Sequence, residues 1–283
     1  MKIGISAFAW TSVFDRSHLD LLPLIKQIGL DALEIPMMEP AMLPIAEIKK
    51  TCSALSLECT VCAILPKQIN PISPREETRK RAIDHLIRCV ETSAAMGANI
   101  LCGPLFAPIG YLPNHRPSRK EWTWAVEAFR ALEDVLDAYN MTLCIEPVNR
   151  SETFFLRTAI EARQLCESIG NPRIGVTIDT FHANIEEQSI PDAVRSLGPC
   201  LKHIHASEND RGLLGTGHVP FNEIISALHQ ISYQGYLMIE GFGYDKKEKD
   251  SPGKLWAHKD VTPENLAQDG FKYLTRVIQE INS

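Results

Sequence analysis

The sequences GVTID at residues 175–179 and KHIHA at residues 202–206 are short, largely apolar runs about one helix-length apart. Each carries a potential metal-binding side chain at or near its end, Asp179 in the first and His205 in the second. Two similar runs flank them, TLCIE ending at Glu146 and YLMIE ending at Glu240. Short buried strands that alternate with longer segments are typical of a parallel sheet covered by helices.

Eight runs of this kind occur along the chain and alternate with amphipathic segments. The predicted strands are residues 2–7, 32–36, 58–64, 99–105, 142–147, 175–179, 202–206 and 236–240. The clearest predicted helices are residues 19–28, 76–96, 120–139, 159–169, 221–231 and 263–281. Eight strand–helix units predict an α/β fold, a (β/α)₈ TIM barrel, in one domain over residues 1–283. The alternative, an open doubly wound sheet, normally has a glycine-rich turn after its first strand, and GISA at residues 4–7 is no such turn.

Two helix starts carry recognisable capping sequences. SPRE at residues 73–76 has the serine and glutamate of a capping box, with proline at the expected first helical position. TPE at residues 262–264 has the same order of a hydroxyl side chain, a proline and an acidic residue. Both sequences therefore predict that a helix begins within these residues.

The composition argues against a nucleic-acid partner and is compatible with a small neutral substrate. The formal net charge of the 283 residues is -6, whereas proteins that bind nucleic acid usually present a basic face. No apolar run approaches the roughly 18 residues of a membrane span, and the N-terminal residues do not resemble a signal peptide. We therefore expect a cytoplasmic protein with neither a nucleic-acid nor a membrane partner. The eight cysteines are scattered, and we expect reduced, mostly buried thiols.

Four polar strand ends predict a metal site. Glu146, Asp179, His205 and Glu240 are separated by 33, 26 and 35 positions, about one strand–helix unit each. In a barrel this spacing brings them together at the C-terminal ends of strands five to eight. Three converging carboxylates repel one another, and a divalent cation removes that repulsion. Three oxygen ligands and one imidazole suit one cation, Mn²⁺ first, with Co²⁺ and Mg²⁺ as the other choices.

The residues around these ligands are more specific than the spacing. The informative stretches are IEPVNRSET at 145–153, DTFHANIEE at 179–187, HIHASENDRG at 203–212 and LGTG at 214–217. Together with the order and length of the chain, they resemble the D-tagatose 3-epimerase family. This family includes the D-psicose (D-allulose) and L-ribulose 3-epimerases, within the wider group of xylose-isomerase-like TIM barrels.

The resemblance implies a role for each matching residue. The family's metal ligands fall on the four residues chosen from spacing, and its substrate-binding Glu, His and Arg fall on Glu152, His182 and Arg211. The implied activity is that of a metal-dependent ketose 3-epimerase, which inverts C3 of a free ketohexose or ketopentose through an enediolate. Glu146 and Glu240 are then the catalytic acid and base, because two carboxylates are needed to exchange a proton between opposite faces. The family also implies a homo-oligomer, a dimer or a tetramer.

Three other functions remain open on the sequence. The nearest is an aldose–ketose isomerase of the hydroxypyruvate or inosose type, which moves a proton between C1 and C2 on the same scaffold. An endonuclease IV-like phosphodiesterase uses the same barrel but needs a multi-zinc cluster and a basic face. A non-catalytic sugar-binding protein needs no acid–base pair, whereas this chain has Glu146 and Glu240.

Several residues near the predicted strand ends are weaker candidates. Glu34 and His203 either face the barrel interior beneath the site or serve only as buried structural groups. Long loops follow the fourth strand (residues 107–119) and the eighth (residues 241–259), where substrate covers are common. The aromatic residues that could exclude water are Trp10, Phe242 and Trp256.

Overall fold

Eight short strands form one sheet in the computed structural model, which describes residues 1–242 and 261–282. The strands are β1 (Lys2–Ser6), β2 (Ala32–Met37), β3 (Glu58–Ala63), β4 (Ile100–Gly103), β5 (Thr142–Ile145), β6 (Ile174–Asp179), β7 (Leu201–Ala206) and β8 (Tyr236–Ile239). They pair in parallel and in sequence order. β8 pairs back onto β1, with Tyr236 opposite Lys2, so that the sheet closes into a barrel. The predicted TIM barrel is confirmed.

Helices follow the strands and cover the outside of the barrel. They are α1 (Leu21–Ile28), α2 (Ile45–Leu55), α3 (Glu76–Met96), α4 (Arg119–Arg130), α5 (Glu133–Ala138), α6 (Ala159–Ile169), α7 (Thr180–Glu186), α8 (Ile190–Leu197), α9 (Phe221–Gln230) and α10 (Pro263–Asn282). Within the described residues, none of the helices combines the length and apolar character needed to cross a membrane.

The alternation of side chains along the strands creates two apolar regions. Leu33 and Ile35 of β2 belong to the large core between sheet and helices. Ala32 belongs to a smaller cluster inside the barrel, which also contains Cys102 and Met238. Glu34, between Leu33 and Ile35, therefore faces the interior and is fully buried. This inward face carries polar side chains to the C-terminal end of the barrel.

Two helix predictions need correction. Residues 120–139 form two helices, α4 and α5, rather than one continuous helix. The predicted capping box at residues 73–76 is wrong, because Arg75 is the N-cap of α3 and Pro74 lies outside the helix. The hydroxyl of Ser73 instead accepts a hydrogen bond from the amide of Arg75 at 3.2 Å, which makes a local turn. The start at Thr262 is confirmed, since its hydroxyl accepts the amide of Asn265 at 3.2 Å.

Gly103, the last residue of β4, adopts a backbone conformation that a larger residue could not adopt at this position. Gly103 has φ of +129°, and a β-carbon placed on it would lie 2.2 Å from the carbonyl oxygen of Ala63. Its own carbonyl oxygen accepts a hydrogen bond from the amide of Glu146 at 3.0 Å. The missing side chain therefore permits a close approach of β3 and β4, and the backbone there fixes the start of the Glu146 segment.

Candidate active site

The four strand-end residues meet at the C-terminal mouth of the barrel, and all four are buried. Asp179 is the last residue of β6 and pairs in register with His205 of β7. Glu146 and Glu240 directly follow β5 and β8. The amide of Glu240 donates to the carbonyl of Ala206 at 3.0 Å, as that of Glu146 does to Gly103. Both glutamates therefore leave a backbone that the neighbouring strand holds in place.

The side chains converge on one nitrogen. The Nδ1 atom of His205 lies 3.2 Å from Oε1 of Glu146 and 3.7 Å from Oε1 of Glu240. Ligand atoms of Glu146, Asp179 and His205 all lie within 4.8 Å of one another. These three residues form the closest group, and Glu240 lies beside it at the same Nδ1; together they offer the oxygen and nitrogen donors that a Mn²⁺-like cation takes. The residues present therefore fit one divalent cation.

The pKa shifts of His205 and Glu240 also favour a bound cation at this position. Burial alone would lower the pKa of His205, but Glu240, Glu34 and Glu146 together raise it well above its usual value. Burial raises the pKa of Glu240 to about 8, despite the opposing influence of His205 and Arg211. These groups therefore tend to retain protons when no cation is bound, which is the expected cost of gathering carboxylates in a dry cleft. A divalent charge at this point would displace those protons.

Arg211 bridges two of the proposed ligands. Its Nη1 donates to Oε2 of Glu240 at 2.6 Å, and its Nη2 donates to Oδ2 of Asp179 at 2.7 Å. The guanidinium also lies 4.2 Å from the ring centre of Phe181 and 4.8 Å from that of Phe242. The guanidinium of Arg211 therefore binds Oε2 of Glu240, while Oε1 of Glu240 remains near the imidazole of His205.

The backbone of Arg211 is held in an uncommon conformation. Its φ is +61°, in the left-handed region that residues with side chains seldom adopt. The preceding Glu208 is fully buried, and its Oε1 accepts the amide of Gly215 at 2.9 Å while its Oε2 accepts that of Val219 at 3.3 Å. The carbonyl of Glu208 accepts the amide of Arg211 at 3.0 Å. A buried carboxylate therefore organises the loop that presents the guanidinium.

Glu152 and His182 are joined by Asn149, which was not among the residues predicted from the sequence. The side-chain amide of Asn149 donates to Oε1 of Glu152 at 3.0 Å and lies 2.8 Å from Nδ1 of His182. The backbone amide of Asn149 also donates to this Nδ1 at 3.3 Å. The Nε2 of His182 lies 3.5 Å from Oδ2 of Asp179. The sequence feature that could have identified Asn149 is its position three residues after Glu146, in the segment that follows β5.

A second polar layer lies directly beneath the metal-binding residues. Oε1 of Glu34 is 3.0 Å from Nε2 of His205, and its Oε2 is 2.8 Å from Nε2 of His203. The hydroxyl of Thr60 and the thiol of Cys102 donate to the same Oε2, at 3.0 and 3.3 Å. Of the two possibilities left open for Glu34 and His203, the structure places both side chains in the barrel interior, where they are buried and in contact with each other.

The structure describes two of the three aromatic residues that were proposed to exclude water from the site. Phe242 lies against Arg211 and 5.3 Å from the ring of Phe8. The indole N–H of Trp10 donates to Glu264 of α10 at 3.0 Å. Residues 243–259 of the long eighth loop, including Trp256, lie outside the described residues. In the loop after β4, Gly110 donates its amide to the carbonyl of Glu152 at 2.8 Å, which ties this loop to the site.

Known proteins resemble this chain in sequence over most of its length. The model of the xylose isomerase-like TIM barrel family matches residues 22–277. An L-ribulose 3-epimerase of Mesorhizobium japonicum is 28% identical, over 94% of this chain and 90% of that protein. A D-psicose 3-epimerase of Ruminiclostridium cellulolyticum is 29% identical, over 86% of this chain and 84% of its own length.

A solved structure agrees closely with the barrel. The D-psicose 3-epimerase of Clostridium cellulolyticum H10, in a structure with D-tagatose, superposes with a TM-score of 0.85 at 26% identity. The alignment covers 98% of this chain and 99% of that one. The alignment therefore runs over nearly the whole length of both chains.

Proposed function

The chain belongs to the xylose isomerase-like TIM barrel family, and from this premise we propose that it is a metal-dependent ketose 3-epimerase acting on a free sugar. The curated relatives are carbohydrate epimerases, so the chain is an enzyme of the isomerase class. The observation that carries the finer proposal is the pair of buried glutamates near one imidazole nitrogen. Glu146 and Glu240 approach His205 from strands β5 and β8, and an epimerase needs two such acid–base groups.

The proposed metal ligands are Glu146, Asp179, His205 and Glu240. When bound there, a divalent cation supplies Lewis-acid stabilisation of the negative charge that develops on the substrate oxygens. The proton on C3 is acidic because it lies beside the C2 carbonyl. One of Glu146 and Glu240 removes it to give a planar enediolate, and the other returns a proton to the opposite face, which inverts C3.

The substrate-binding roles follow from the remaining polar groups. Arg211 presents a rigid fork of donors, and His182 presents its Nε2 edge beside Asp179. We assign these two residues to the C1–C2 end of the ketose. Glu152, linked to His182 through Asn149, completes the substrate-binding set.

Deuterium incorporation tests the proposal. The chelator-treated protein, reloaded with Mn²⁺, is incubated in deuterated water with D-psicose, D-tagatose or L-ribulose, and the products are separated and examined by NMR. We expect C3 epimers that carry deuterium at C3, because the returning proton comes from a solvent-exchanged carboxylate. Deuterium at C1 with an aldose product would assign the aldose–ketose isomerase instead. No turnover of any ketose by metal-loaded protein would contradict the proposal.

Four finer assignments accompany this activity. We propose Mn²⁺ as the native ion, a cytoplasmic location, a single domain over residues 1–283 and a homo-oligomer, either a dimer or a tetramer. Metal analysis of protein purified without added salts tests the ion. Light scattering on a sizing column tests the oligomer, and a monomeric mass at the working concentration would contradict it.

A further inference from the structure

The imidazole of His205 has acidic partners on both of its nitrogens. Its Nδ1 faces Glu146 and Glu240 at the barrel mouth, whereas its Nε2 faces Glu34 of β2 at 3.0 Å. The ring is fully buried, as is Glu34. Since only one nitrogen can offer a lone pair to a cation while the other keeps its proton, the environment of Nε2 decides how the ring meets the metal.

We propose that Glu34 is a positioning residue, which holds the Nε2–H edge of His205 so that Nδ1 is the nitrogen presented to the divalent cation. This inference rests on the metal site of the proposed function and adds to it a residue from the opposite part of the barrel. Glu34 lies beneath His205, and its contacts are with His203, His205, Thr60 and Cys102. It acts only through the tautomer and orientation of His205.

The carboxylate of Glu34 is itself held by three donors on one oxygen. Its Oε2 lies 2.8 Å from His203 Nε2 and accepts hydrogen bonds from Thr60 at 3.0 Å and Cys102 at 3.3 Å. Thr60 is the register partner of Glu34 on β3, so the strand pairing sets this contact. The carboxylate plane is therefore fixed from β3, β4 and β7 at once.

The second oxygen of Glu34 remains for His205. Oε1 is buried, makes no hydrogen bond of good geometry among residues 1–242 and 261–282, and lies 3.0 Å from Nε2 of His205; this Nε2 also lies 3.6 Å from the sulfur of Cys102. Nδ1 lies 3.2 Å from Oε1 of Glu146, so a cation that takes the lone pair of Nδ1 leaves the ring proton on Nε2, where it faces the buried Oε1 of Glu34. The ring of His203 packs edge-on against that of His205, with ring centres 5.2 Å apart at 84°. This packing opposes a flip of the imidazole that would exchange its two nitrogens.

The same region offers a competing arrangement. Ligand atoms of Glu34, Cys62, Cys102 and His205 also lie within 4.8 Å of one another. A cation bound there would take Nε2 of His205 and two sulfur atoms, which is the donor set of a thiophilic ion. Binding at that point would exclude the positioning role, because Glu34 would then be a ligand itself.

Cobalt binding distinguishes these possibilities. Co²⁺ is titrated into chelator-treated wild type, Glu34→Gln, Glu34→Ala and the control Thr177→Val, and binding is followed by visible absorption. Thr177 is a buried hydroxyl on the same face of β6 as Asp179 and makes no hydrogen bond to Glu34, so its removal controls for the loss of an interior polar group. We expect Co²⁺ affinity about 10- to 100-fold weaker in Glu34→Ala, a smaller loss in Glu34→Gln, and little change in Thr177→Val.

A proton NMR spectrum of the Co²⁺-loaded wild type gives a readout that needs no variant to fold. We expect one strongly shifted, exchangeable N–H signal from the His205 Nε2 proton, protected from exchange by burial against Glu34. Absence of this signal, or an intense thiolate-to-cobalt charge-transfer band, would overturn the inference. Equal Co²⁺ affinity in folded Glu34→Ala and wild type would also overturn it. Failure of the wild type to bind Co²⁺ at all would reject the metal site of the proposed function, and the inference with it.

Discussion

Arg211 supplies positive charge at the barrel mouth without occupying every carboxylate oxygen. Its two terminal nitrogens bind Asp179 and Glu240, and these acidic partners raise its pKa although burial would lower it. A carboxylate oxygen has more than one lone pair, so Oδ2 of Asp179 can accept from Arg211 and still serve a cation. The fixed fork that spans two carboxylates is a property of guanidinium, which lysine does not reproduce.

Substitution of Arg211 separates positioning from metal binding. We expect Arg211→Ala to lower kcat/KM by about 100-fold or more, since the donors that align the ketose oxygens are lost. Arg211→Lys keeps the charge but cannot bridge Asp179 and Glu240, so it should recover only part of the loss. Metal content with excess Mn²⁺ should stay near one ion per chain, measured by mass spectrometry beside the kinetics. A normal kcat/KM in Arg211→Ala would remove Arg211 from the substrate site.

The two glutamates are expected to be indispensable for proton transfer. Glu146→Gln and Glu240→Gln each keep an amide oxygen for the cation but cannot accept a proton, so each should abolish epimerisation. Product formation by chromatography and bound metal by elemental analysis are measured on the same samples. Near-normal turnover in either variant, with metal bound, would disprove the two-carboxylate mechanism.

At the scale of elements, local patterns predicted most strands and several helices from the sequence. β6 and α6 were predicted within a residue at each end, because an apolar run and an amphipathic repeat specify them locally. The break between α4 and α5 was not predictable, since residues 120–139 keep their amphipathic pattern across it. α7 was also missed. It begins because the side chain of Asp179 accepts the amide of Phe181 at 2.9 Å, and the same side chain is a proposed metal ligand.

Gly103 gives a test of how tightly β3 and β4 approach. A β-carbon on Gly103 would collide with the backbone of Ala63, whereas one on Gly110, which also has positive φ, would meet nothing within 4 Å. We expect Gly110→Ala to cost about 1 kcal/mol of unfolding free energy from its backbone conformation alone. Gly103→Ala should cost several kcal/mol, on the order of 3 or more, because backbone must move as well.

Urea unfolding of the two glycine variants measures this difference directly. Because the carbonyl of Gly103 holds the amide of Glu146, Gly103→Ala should also weaken Mn²⁺ binding, and Gly110→Ala should not. Equal free energies of unfolding for the two variants would show that the strands can separate at little cost.

At the scale of the whole molecule, the spacing of strand ends predicted which residues gather at the mouth, but not which side chains meet. Every unit of a TIM barrel returns to the same rim, so Asp179 and His205 could be placed together from sequence. The contact of Glu34 with both His203 and His205 depends on strand register and barrel closure, which no local pattern encodes. The link from Asn149 to His182 likewise joins two loops from adjacent units.

Metal binding should stabilise the whole barrel. The proposed ligands come from four strands, so a cation that binds them favours the closed fold over the unfolded chain. At a free ion concentration of 100 times its Kd, the gain is about 2.7 kcal/mol. We expect Tm to rise by several degrees with Mn²⁺ and to fall back with chelator, measured by calorimetry. Asp179→Asn should show a smaller rise, and an unchanged Tm for the wild type would contradict metal binding at this site.

The charges at the mouth also bear on whether the sugar carries a phosphate. Arg211 is engaged by Asp179 and Glu240, and the guanidinium of Arg150 makes two hydrogen bonds to Glu186, at 2.9 and 3.0 Å. A phosphate group would have to take these arginines from carboxylates that already bind them, whereas hydroxyl groups need only share their donors. We therefore expect kcat/KM for a free ketose to be at least equal to that for its 6-phosphate, with both assayed on Mn²⁺-loaded protein. A preference for the phosphate above about tenfold, equivalent to roughly 1.4 kcal/mol of transition-state stabilisation, would contradict this expectation and reassign the substrate class.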